Sequence, residues 1–488
     1  MIADLQPYSS YKDSEVEWLG DVPKHWEVQR LKNIFQRIIG GTTPSSNQPD
    51  YWDGDVVWIT PTDVSKNAQL FTSLRKITRE GLKATSLELV PPGSLVITSR
   101  APVGNVAVAQ VELCTNQGCK TLIPNNDFIT TKYGFNLLKT LKSEIQSLAS
   151  GTTFTEISRT KLGDIFIPLP PLPEQTAIVR YLDYMDRRIR RLNSAKKKLI
   201  ALLEEEKQAI IHNAVTRGLD PNVRLKPSGV EWLGDVPEHW VVSPVKRHFD
   251  IRLGKMLQNS PNDKNDIEVS YLKAQHIQWF RVLTTNAPKM WANPREIVQY
   301  QIANGDLLVC EGGEGGRCGI VKDLECHFII QNALHRVRAH LNSRNDFMQY
   351  LMITISTLKW FDAINNKATI AHFTREKFGS LRIPIPPLPE QTAIVNYLDQ
   401  TLEKIDSTIT HTQRQITLLQ EYRTRLIADV ITGKLDVREA AAHLPEESGE
   451  SEASELLDEL DCMGDDEASA NELGFEEETG GTGEWPVE

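Results

Sequence analysis

The sequence lacks long apolar runs and a secretory leader. No stretch approaches the roughly 20 apolar residues that a membrane helix needs. The first fifteen residues, MIADLQPYSSYKDSE, contain acids and no apolar core, which does not fit a secretory signal. These absences favour a cytoplasmic location. A chain of 488 residues that is 40% hydrophobic and 24% charged predicts several soluble globular domains.

Paired cysteines and catalytic motifs are also missing. The six cysteines are Cys114, Cys119, Cys310, Cys318, Cys326 and Cys462. None forms a CxxC pair or a zinc-type spacing, so we expect reduced thiols and no metal. The glycine-rich residues 312–319 lack the GK[ST] of a phosphate-binding loop and are interpreted as a hairpin tip. Since no GxSxG or HExxH motif appears either, we predict no catalytic residue and no cofactor on this chain.

Basic residues disappear at the end of the chain. From Pro445 onward there are 17 Asp or Glu and no Lys or Arg. Without these 17 acids, the formal net charge of −11 becomes +6 for residues 1–444, which permits a polyanionic partner. The acidic tail, residues 441–488, is predicted to be disordered. It is interpreted as a solubilising tail, or alternatively as a competitor of a polyanion for the basic body.

What the sequence does contain is a long internal repeat. PLPPLPEQTAIVRYLD at 168–183 returns as PIPPLPEQTAIVNYLD at 384–399, with 14 of 16 positions identical. VEWLGDVPKHW at 16–26 likewise returns at 230–240. The segments between these markers differ in sequence. We therefore predict two copies of one structural unit, each with a globular domain. The two domains would share a fold and differ on their surfaces.

Both globular segments have mixed helix and strand patterns. In the first, PPGSLVITSRAPVGNVAVA predicts a hairpin with its turn at 100–105, and residues 133–150 have helical spacing. In the second, ANGDLLVCEGGEGGRCGIV takes the place of this hairpin. We expect Arg100 and Arg317 to lie in the two hairpin tips at matching places.

Each proline-rich joint leads into a long helical pattern. The first is predicted to run from Glu174 to Val215. Apolar residues recur at spacings of three and four, which is typical of a coiled coil. In the first helix they are Ile178, Leu182, Met185, Ile189, Leu192, Leu199, Leu203 and Ile210. In the second they are Leu398, Leu402, Ile405, Ile409, Ile416, Leu419, Leu426 and Val430, with Thr412 and Arg423 interrupting.

The predicted fold class is α+β. Two globular domains are separated by an antiparallel coiled coil of two long helices, as a pseudo-two-fold repeat followed by a disordered acidic tail. The predicted segments are a lead-in (1–26), a first globular domain (27–167), a first joint with its helix (168–226), a repeated joint (227–240), a second globular domain (241–383), a second joint with its helix (384–440) and the tail (441–488).

The joints resemble a known family. LGDIFIPLPPLPEQTAIV and FGSLRIPIPPLPEQTAIV, each before a long helix, resemble the conserved regions of the specificity (S) subunit of type I restriction–modification enzymes. GGTTPS, TNQG and SGTTFTEISRTKLG in the first half, and QNALHRVR and ATIAHFTREKF in the second, fit the target recognition domains of that family. The resemblance covers residues 14–440, and the acidic tail departs from it.

The resemblance implies a DNA-recognition subunit without bond chemistry of its own. Each target recognition domain would read one half of a bipartite site in double-stranded DNA, and the helices would set the spacer. The joints would dock two identical methyltransferase subunits, which hold S-adenosylmethionine and methylate adenine. Two restriction and translocase subunits, using ATP and Mg, would join them. A pseudo-symmetric scaffold with unlike domains independently predicts an asymmetric site, and repeated joints suit two copies of one partner.

Polar loop residues are the candidates for DNA contact. In the first domain they are Thr42, Thr43, Ser45, Arg100, Asn116, Gln117, Thr152 and Thr153. In the second they are Lys255, Gln275, Gln278, Arg317, Gln331, His335, Arg336, Thr369 and Arg375. The basic run at 187–198 is interpreted as a solvated helix face, or alternatively as a contact for spacer phosphates.

Three alternatives remain open. The chain is also compatible with a complex that only methylates, or with a coiled-coil scaffold whose globular domains bind proteins. A self-sufficient nuclease or methyltransferase is disfavoured because no cofactor or metal motif is present.

Overall fold

In the computed structural model, both copies of the WLGDVP segment form the same small hairpin. Tyr11–Asp13 pairs antiparallel with Asp21–Pro23, and Leu225–Pro227 pairs in the same way with Asp235–Pro237. The turns need glycine, because Gly20 has φ +66° and Gly234 has φ +62°. Trp26 and Trp240, which follow the hairpins, are fully buried.

The structure describes residues 5–150, 155–312, 314–324, 326–340, 342–358, 360 and 373–445. These residues fall into two units. The first unit comprises Met1–Ala195 and Gln415–Glu488, and the second comprises Lys196–Arg414. Each unit therefore contains one globular domain and a part of each long helix. The predicted disordered tail lies outside the described residues, apart from residues 441–445. There the prediction is wrong, because the helix Arg438–Ala442 continues into this stretch and Ala441 is buried.

Each globular domain is inserted between two paired strands. In the first, Glu27–Arg30 pairs antiparallel with Phe166–Leu169. In the second, Val241–Pro244 pairs antiparallel with Arg382–Ile385. Because the chain enters and leaves each domain on the same strand pair, the proline-rich joint starts next to the lead-in hairpin in both repeats.

The two globular domains share the order of four strands in the larger sheet and of three in the smaller sheet, and the larger sheet of the first domain has Gln69–Leu70 as a fifth strand. The larger sheet of the first domain has the order Phe35–Gly40, Cys119–Pro124, Leu95–Thr98, Val106–Ala109 and Gln69–Leu70. That of the second has the order Phe249–Leu253, Leu334–Ala339, Leu307–Cys310 and Cys318–Ile320. The smaller sheets are Cys114–Thr115, Trp52–Ile59 and Lys76–Ile77 in the first domain, and Phe328–Ile330, Ile267–Leu272 and Lys289–Ala292 in the second. A further pair, Ile277–Gln278 with Arg281–Val282, belongs to the second domain. The expected shared fold is confirmed despite dissimilar sequences.

Short helices complete the α+β domains. The first domain contains the helices Leu31–Ile34, Pro61–Lys66, Arg79–Ala84, Thr131–Thr140, Lys142–Leu148 and Arg159–Gly163, and the 3-10 helix Pro49–Tyr51. The second contains Pro294–Tyr300, Asn345–Thr357 and Arg375–Ser380, and the 3-10 helices Val245–Arg247 and Ala274–His276. Side-chain caps begin several of them: Thr130, Ser158 and Thr374 each accept a hydrogen bond from a backbone N–H of the first turn.

The two long helices span Leu172–Arg217 and Leu388–Ile431. The prediction that the first begins at Glu174 is wrong by two residues, because Pro173 lies inside the first turn. Proline is tolerated there, since the N–H groups of a first helical turn have no helical partner to lose. The helix also continues two residues past the predicted end at Val215.

Within each unit the two long helices run antiparallel. In the first unit, Arg423 pairs with Asp186, whereas Arg180 contacts the carbonyl of Leu444 further along the chain. In the second unit, Lys207 bonds Asp406 at 2.5 Å, and Glu390 lies beside Gly218. The later part of one helix thus meets the earlier part of the other, and the predicted antiparallel pair is confirmed.

The predicted apolar seam is buried where the helices also pack on a globular domain. Ile178, Leu182, Met185 and Ile189 belong to the core of the first unit. In contrast, Leu192 is 43% exposed and Leu199 is 44% exposed, so the predicted apolar seam is not buried at these two positions. The buried apolar residues of 178–189 share one core cluster with residues of the second long helix and of the helix Thr131–Thr140, and Leu192 does not belong to that cluster.

The repeated Glu-Gln pair explains why both joints have nearly the same sequence. The carboxylate of Glu174, which is almost fully buried, accepts hydrogen bonds from Tyr8 at 2.7 Å, His25 at 2.8 Å and Trp26 at 3.0 Å. The amide of Gln175 donates to the carbonyl of Pro170. The second repeat keeps the equivalent bonds of Glu390 to His239 and of Gln391 to Pro386. The joint thus ties the lead-in hairpin, the proline segment and the helix together.

One buried histidine predicts a pH-dependent second domain. Burial lowers the pKa of His335, although its Nε2–H donates to the carbonyl of Phe373 at 2.9 Å. The unfolded chain then binds a proton more readily below about pH 6.5. Stability that is complete above that pH is lost as the pH falls towards the folded-state pKa, by up to about 1.4 kcal/mol per pH unit.

Hydrogen exchange can measure this loss strand by strand. On lowering the pH from about 7.5 to about 5.5, and after correction for the intrinsic exchange rate, we expect protection of Leu334–Ala339 to fall. The matched control is Cys119–Pro124, which carries Lys120 at the register position of His335. Equal changes in both strands would exclude His335 as the source of the pH dependence.

Candidate nucleic-acid interface

Three chain segments of the first domain meet at one edge of its larger sheet. They are the loop after Phe35–Gly40, the turn after Leu95–Thr98 and the loop before Cys119–Pro124. Because neighbouring strands are antiparallel, Gly40 lies opposite Lys120 and Thr98 lies opposite Cys119. We call residues 40–45, 99–105 and 115–118 the first polar edge.

The segments of the first polar edge are in close contact. A Cβ atom on Gly41 would lie 2.1 Å from the carbonyl oxygens of both Thr115 and Asn116, so only glycine allows this approach. The N–H of Thr42 donates to Thr115 at 3.1 Å, and the hydroxyl of Thr43 donates to Gln117. Thr42, Thr43 and Gln117 are exposed, so three of the predicted residues form one polar surface.

A carboxylate organises the cations of the first polar edge. Glu156 accepts hydrogen bonds from Arg100 at 2.8 Å and from Lys120 at 3.0 Å. Burial on its own would raise the pKa of Glu156, but the bonds from Arg100 and Lys120 outweigh it and hold the pKa below its usual value. Arg100 reaches this carboxylate through Nε, and no bond from its terminal nitrogens to Glu156 is found among the described residues.

The second domain has an equivalent edge. A Cβ atom on Gly254 would lie 2.2 Å from the carbonyl oxygen of Gln331, just as one on Gly41 would meet Asn116. Glu311 donates its N–H to Ala333 at 2.9 Å, which repeats the bond from Ser99 to Gly118 at 2.7 Å. We call residues 254–258, 311–317 (of which 313 is not described) and 331–333 the second polar edge.

Arg100 and Arg317 do not occupy matching places. Cys310 donates its N–H to the carbonyl of Arg317, and in the first domain Thr98 donates to Asn105. Arg317 is therefore the counterpart of Asn105, at the opposite end of the hairpin tip from Arg100. Its guanidinium donates to Glu314 at 3.1 Å and to the carbonyl of Ala274 at 3.2 Å.

Three predicted residues of the second domain have buried side chains. The ammonium of Lys255 donates to Gln258 at 2.9 Å and to Glu296 at 2.8 Å. The guanidinium of Arg336 donates to the carbonyls of Gln299 and Gln301. His335 is fully buried against the carbonyl of Phe373. These three side chains hold loops of the domain in place.

The remaining candidates differ in exposure. Ser45, Gln275, Gln278 and Arg375 are exposed, and Asn116 and Gln331 are half-buried. Gln278 bonds the carbonyl of Gln275 at 3.4 Å, so these two lie together on the segment 274–278. Thr152, Thr153 and Thr369 lie outside the described residues.

Sequence reasoning missed the residues that support the polar edges. Glu156, Lys120 and Glu296 carry no motif, and their partners are 36 to 56 residues away in sequence. Gly41 and Gly254 did leave a signal, since each follows a β-rich run and precedes a polar loop. That pattern indicates a close backbone approach.

Metal ligation and membrane insertion find no support in the described part of the chain. There, no group of three His, Cys, Asp or Glu residues is placed to hold a metal ion. None of the helices in the described ranges combines the length and the apolar character needed to cross a lipid bilayer.

Comparison with known proteins identifies the repeat. The model of the type I restriction modification DNA specificity domain matches twice, at residues 23–202 and 237–418. The specificity subunit of the type I restriction enzyme MjaIX from Methanocaldococcus jannaschii is 25% identical over 441 residues, covering 88% of this chain and 98% of that subunit.

Solved structures share the fold. A chain from a study of complex assembly and conformational transition in the type I R-M system has a TM-score of 0.64 at 18% identity, covering 85% of this chain and 99% of that chain. The HsdS subunit from Thermoanaerobacter tengcongensis has a TM-score of 0.54 at 17% identity, covering 85% and 98%. The two domain matches confirm the resemblance that the joints indicate.

Proposed function

Because the chain belongs to the type I restriction modification DNA specificity family, we propose that its two polar edges read the two halves of one bipartite DNA site. The observation that carries this proposal is the equivalence of the edges. They lie at the same place in domains that share the order of their main strands, yet they present different side chains. Identical edges would read identical half-sites, so unlike edges fit an asymmetric sequence.

The exposed side chains suit base reading. Amides such as Gln117, Gln275 and Gln278 bond both edge atoms of adenine in the major groove, and an arginine fork bonds guanine. Arg100 is the arginine we assign to this role, because its side chain is 40% exposed and is bonded to Glu156 through Nε. The other exposed candidates, among them Thr42, Thr43, Ser45 and Arg375, would add hydroxyl and phosphate contacts.

The buried and inward-turned candidates would act indirectly. Lys255, His335 and Arg336 would position the second polar edge without touching DNA. Arg317 would lock the hairpin tip against the carbonyl of Ala274, with part of its guanidinium remaining near the surface. Half-buried Asn116 and Gln331 lie next to Gly41 and Gly254 and would position the backbone of those two loops. Thr152, Thr153 and Thr369 remain candidates from the sequence alone.

The repeated scaffold would hold the two polar edges at a fixed distance from each other. The long helices would act as a stiff antiparallel spacer between the globular domains and so set the unread length of DNA. The nearly identical joints at 168–183 and 384–399 would each dock one of two identical methyltransferase subunits. Those subunits would supply S-adenosylmethionine for adenine methylation, and two restriction subunits would supply ATP- and Mg-dependent cleavage. The whole complex would act in the cytoplasm.

A single exposed amide tests base reading by the first polar edge. In complex with the methyltransferase subunit, Gln117→Ala is expected to lower discrimination at one base pair of one half-site by about 1–3 kcal/mol. The reason is that the variant loses the amide that would bond a base edge. Because the side chain is exposed, its truncation should leave the fold intact. The measurement is competition binding with duplexes that are changed one base pair at a time.

A matched control lies at the opposite end of the same sheet. Gln110 is exposed and follows Val106–Ala109 at the end away from the first polar edge. Gln110→Ala should leave every base preference unchanged. If Gln117→Ala also leaves them all unchanged, Gln117 does not read a base. If the complex shows no sequence preference at all, the proposed function itself fails.

A further inference from the structure

The loop after Phe249–Leu253 carries two apolar side chains within the second polar edge. Met256 is 75% exposed and Leu257 is 44% exposed. Neither belongs to a core cluster formed by the described residues of this domain. We call Met256 and Leu257 the apolar pair. Because their side chains lie in water, any apolar group of a partner that covers them gains free energy of binding.

The residues on both sides of the apolar pair are fixed by bonds to other elements. The buried ammonium of Lys255 donates to Glu296 at 2.8 Å. The carbonyl of Gln258 accepts the N–H of Trp291 at 3.0 Å, and the side-chain amide of Gln258 donates to Asp266 at 2.8 Å. Lys255 also donates to Gln258 at 2.9 Å, which ties the two ends together. The apolar pair is therefore displayed at the surface by a fixed backbone.

The first polar edge has a hydroxyl at the position of Met256. Gly41 and Gly254 occupy equivalent places, and the second residue after each is Thr43 and Met256, respectively. The hydroxyl of Thr43 donates to Gln117. The thioether of methionine has no hydrogen to donate and accepts hydrogen bonds only weakly. At this position the first edge thus offers a hydrogen-bonding group, whereas the second offers an apolar contact.

The major groove presents one apolar feature that such a side chain can recognise. Adenine, guanine and cytosine expose hydrogen-bond donors and acceptors there, and thymine adds a methyl group at C5. An apolar side chain that covers this methyl group removes both from water. Methionine suits the contact because its side chain is flexible and its sulfur is polarizable.

We propose that Met256, with Leu257 beside it, contacts the C5 methyl group of a thymine in the half-site that the second polar edge reads. The proposal rests on the proposed function, since it requires that this edge lie in the major groove. It adds the base that the edge selects at one position of the half-site. Lys255 and Gln258 are positioning residues for this contact, because their bonds hold the backbone on both sides of the apolar pair.

Deoxyuridine tests the contact, because it pairs as thymine does and lacks only the C5 methyl group. The chain in complex with its methyltransferase subunit is titrated with duplexes in which each thymine of the site is replaced in turn. At one thymine we expect the replacement to lower the affinity about fourfold, which is the effect of one buried methyl group. Met256→Ala should bind the thymine and deoxyuridine duplexes equally at that position.

Three further variants separate an apolar contact from general damage to the loop. Met256→Leu keeps an apolar side chain of similar size and should retain the preference for thymine. Met256→Thr introduces the hydroxyl that the first edge has at this position and should lose the preference. Leu74→Ala is the matched control, because Leu74 is 68% exposed in the first domain and should not affect that thymine.

Two outcomes would overturn the contact with thymine. One is a Met256→Ala complex that distinguishes thymine from deoxyuridine at every position as the wild type does. The other is a half-site without thymine. If Met256→Ala instead weakens assembly with the methyltransferase subunit in the absence of DNA and leaves the thymine preference unchanged, the apolar pair contacts protein and the proposal is wrong.

The same titrations keep this inference apart from the proposed function. A complex that has no base preference in this half-site would count against reading by the second polar edge. A complex that keeps its base preferences there but binds every deoxyuridine duplex as tightly as the thymine duplex would overturn the role of Met256 alone.

Discussion

Replacing Gly41 by alanine is expected to abolish recognition of one half of the DNA site and to leave the other half intact. The added Cβ would lie 2.1 Å from two backbone oxygens, and backbone cannot swing aside as a long side chain does. Overpacking of this kind costs about 1–3 kcal/mol and separates the loop at 40–45 from the loop at 115–118. Specific binding by the complex should fall about 100-fold, which is roughly 3 kcal/mol.

Gly254→Ala is the equivalent variant in the second domain, and Gly40→Ala is the control in the first domain. Gly254→Ala would place Cβ 2.2 Å from the carbonyl oxygen of Gln331, so it should abolish recognition of the other half-site. Gly40→Ala changes the residue next to Gly41, but its Cβ meets nothing closer than 3.8 Å. The measurement is the binding of each variant to duplexes in which one or the other half-site is scrambled. If Gly41→Ala and Gly40→Ala behave alike, the close contact of the two loops has no part in recognition.

Glu174→Ala is expected to cause the largest loss of stability in the first unit. Its buried carboxylate is the shared acceptor for Tyr8, His25 and Trp26. Burial, together with the hydrogen bond to Glu174, raises the pKa of Tyr8 far above its usual value, so the phenol stays a donor. Removing the carboxylate leaves buried donors without an acceptor, which costs about 3–5 kcal/mol in comparable buried charged pairs.

The second repeat provides a matched variant with a smaller expected effect. Glu390 has the same sequence neighbours and bonds His239 at 2.8 Å. However, Nε1 of Trp240 is buried and has no hydrogen-bond partner among the described residues, unlike that of Trp26. Glu390→Ala should therefore cost about 1 kcal/mol. Urea unfolding gives both values, and hydrogen exchange in residues 5–30 and 222–244 locates them. Equal losses would contradict the assigned role of the Glu174 cluster.

The repeat made much of the fold predictable. Matching markers at both ends of residues 27–167 and 241–383 required that both domains be entered and left in the same way. The structure meets that requirement with the strand pairs at 27–30 and 241–244. Strand order was beyond reach of the sequence, because strands that are neighbours in a sheet are chosen by contacts distant along the chain. The pairing of Phe35–Gly40 with Cys119–Pro124 is one such case.

The sequence indicated which polar loops are candidates for the site, but not which of their side chains face solvent. Thr42, Thr43 and Gln117 were each predicted as candidates for DNA contact, and the structure brings Thr43 and Gln117 into contact. The same reasoning selected Arg336, whose guanidinium donates hydrogen bonds to the carbonyls of Gln299 and Gln301 and is therefore turned inward. A sequence shows that a residue is polar, but acceptors from another segment decide whether its side chain faces solvent or the interior.

Mapping of adenine methylation across the genome tests the central claim most directly. Cells would receive this chain with its methyltransferase subunit, in wild-type form and as Gly41→Ala and Gly254→Ala. We predict a methylated motif of two unlike parts around a spacer of constant length, in which each variant relaxes a different part. A single uninterrupted or palindromic motif, or two variants that relax the same part, would contradict reading of one half-site by each polar edge.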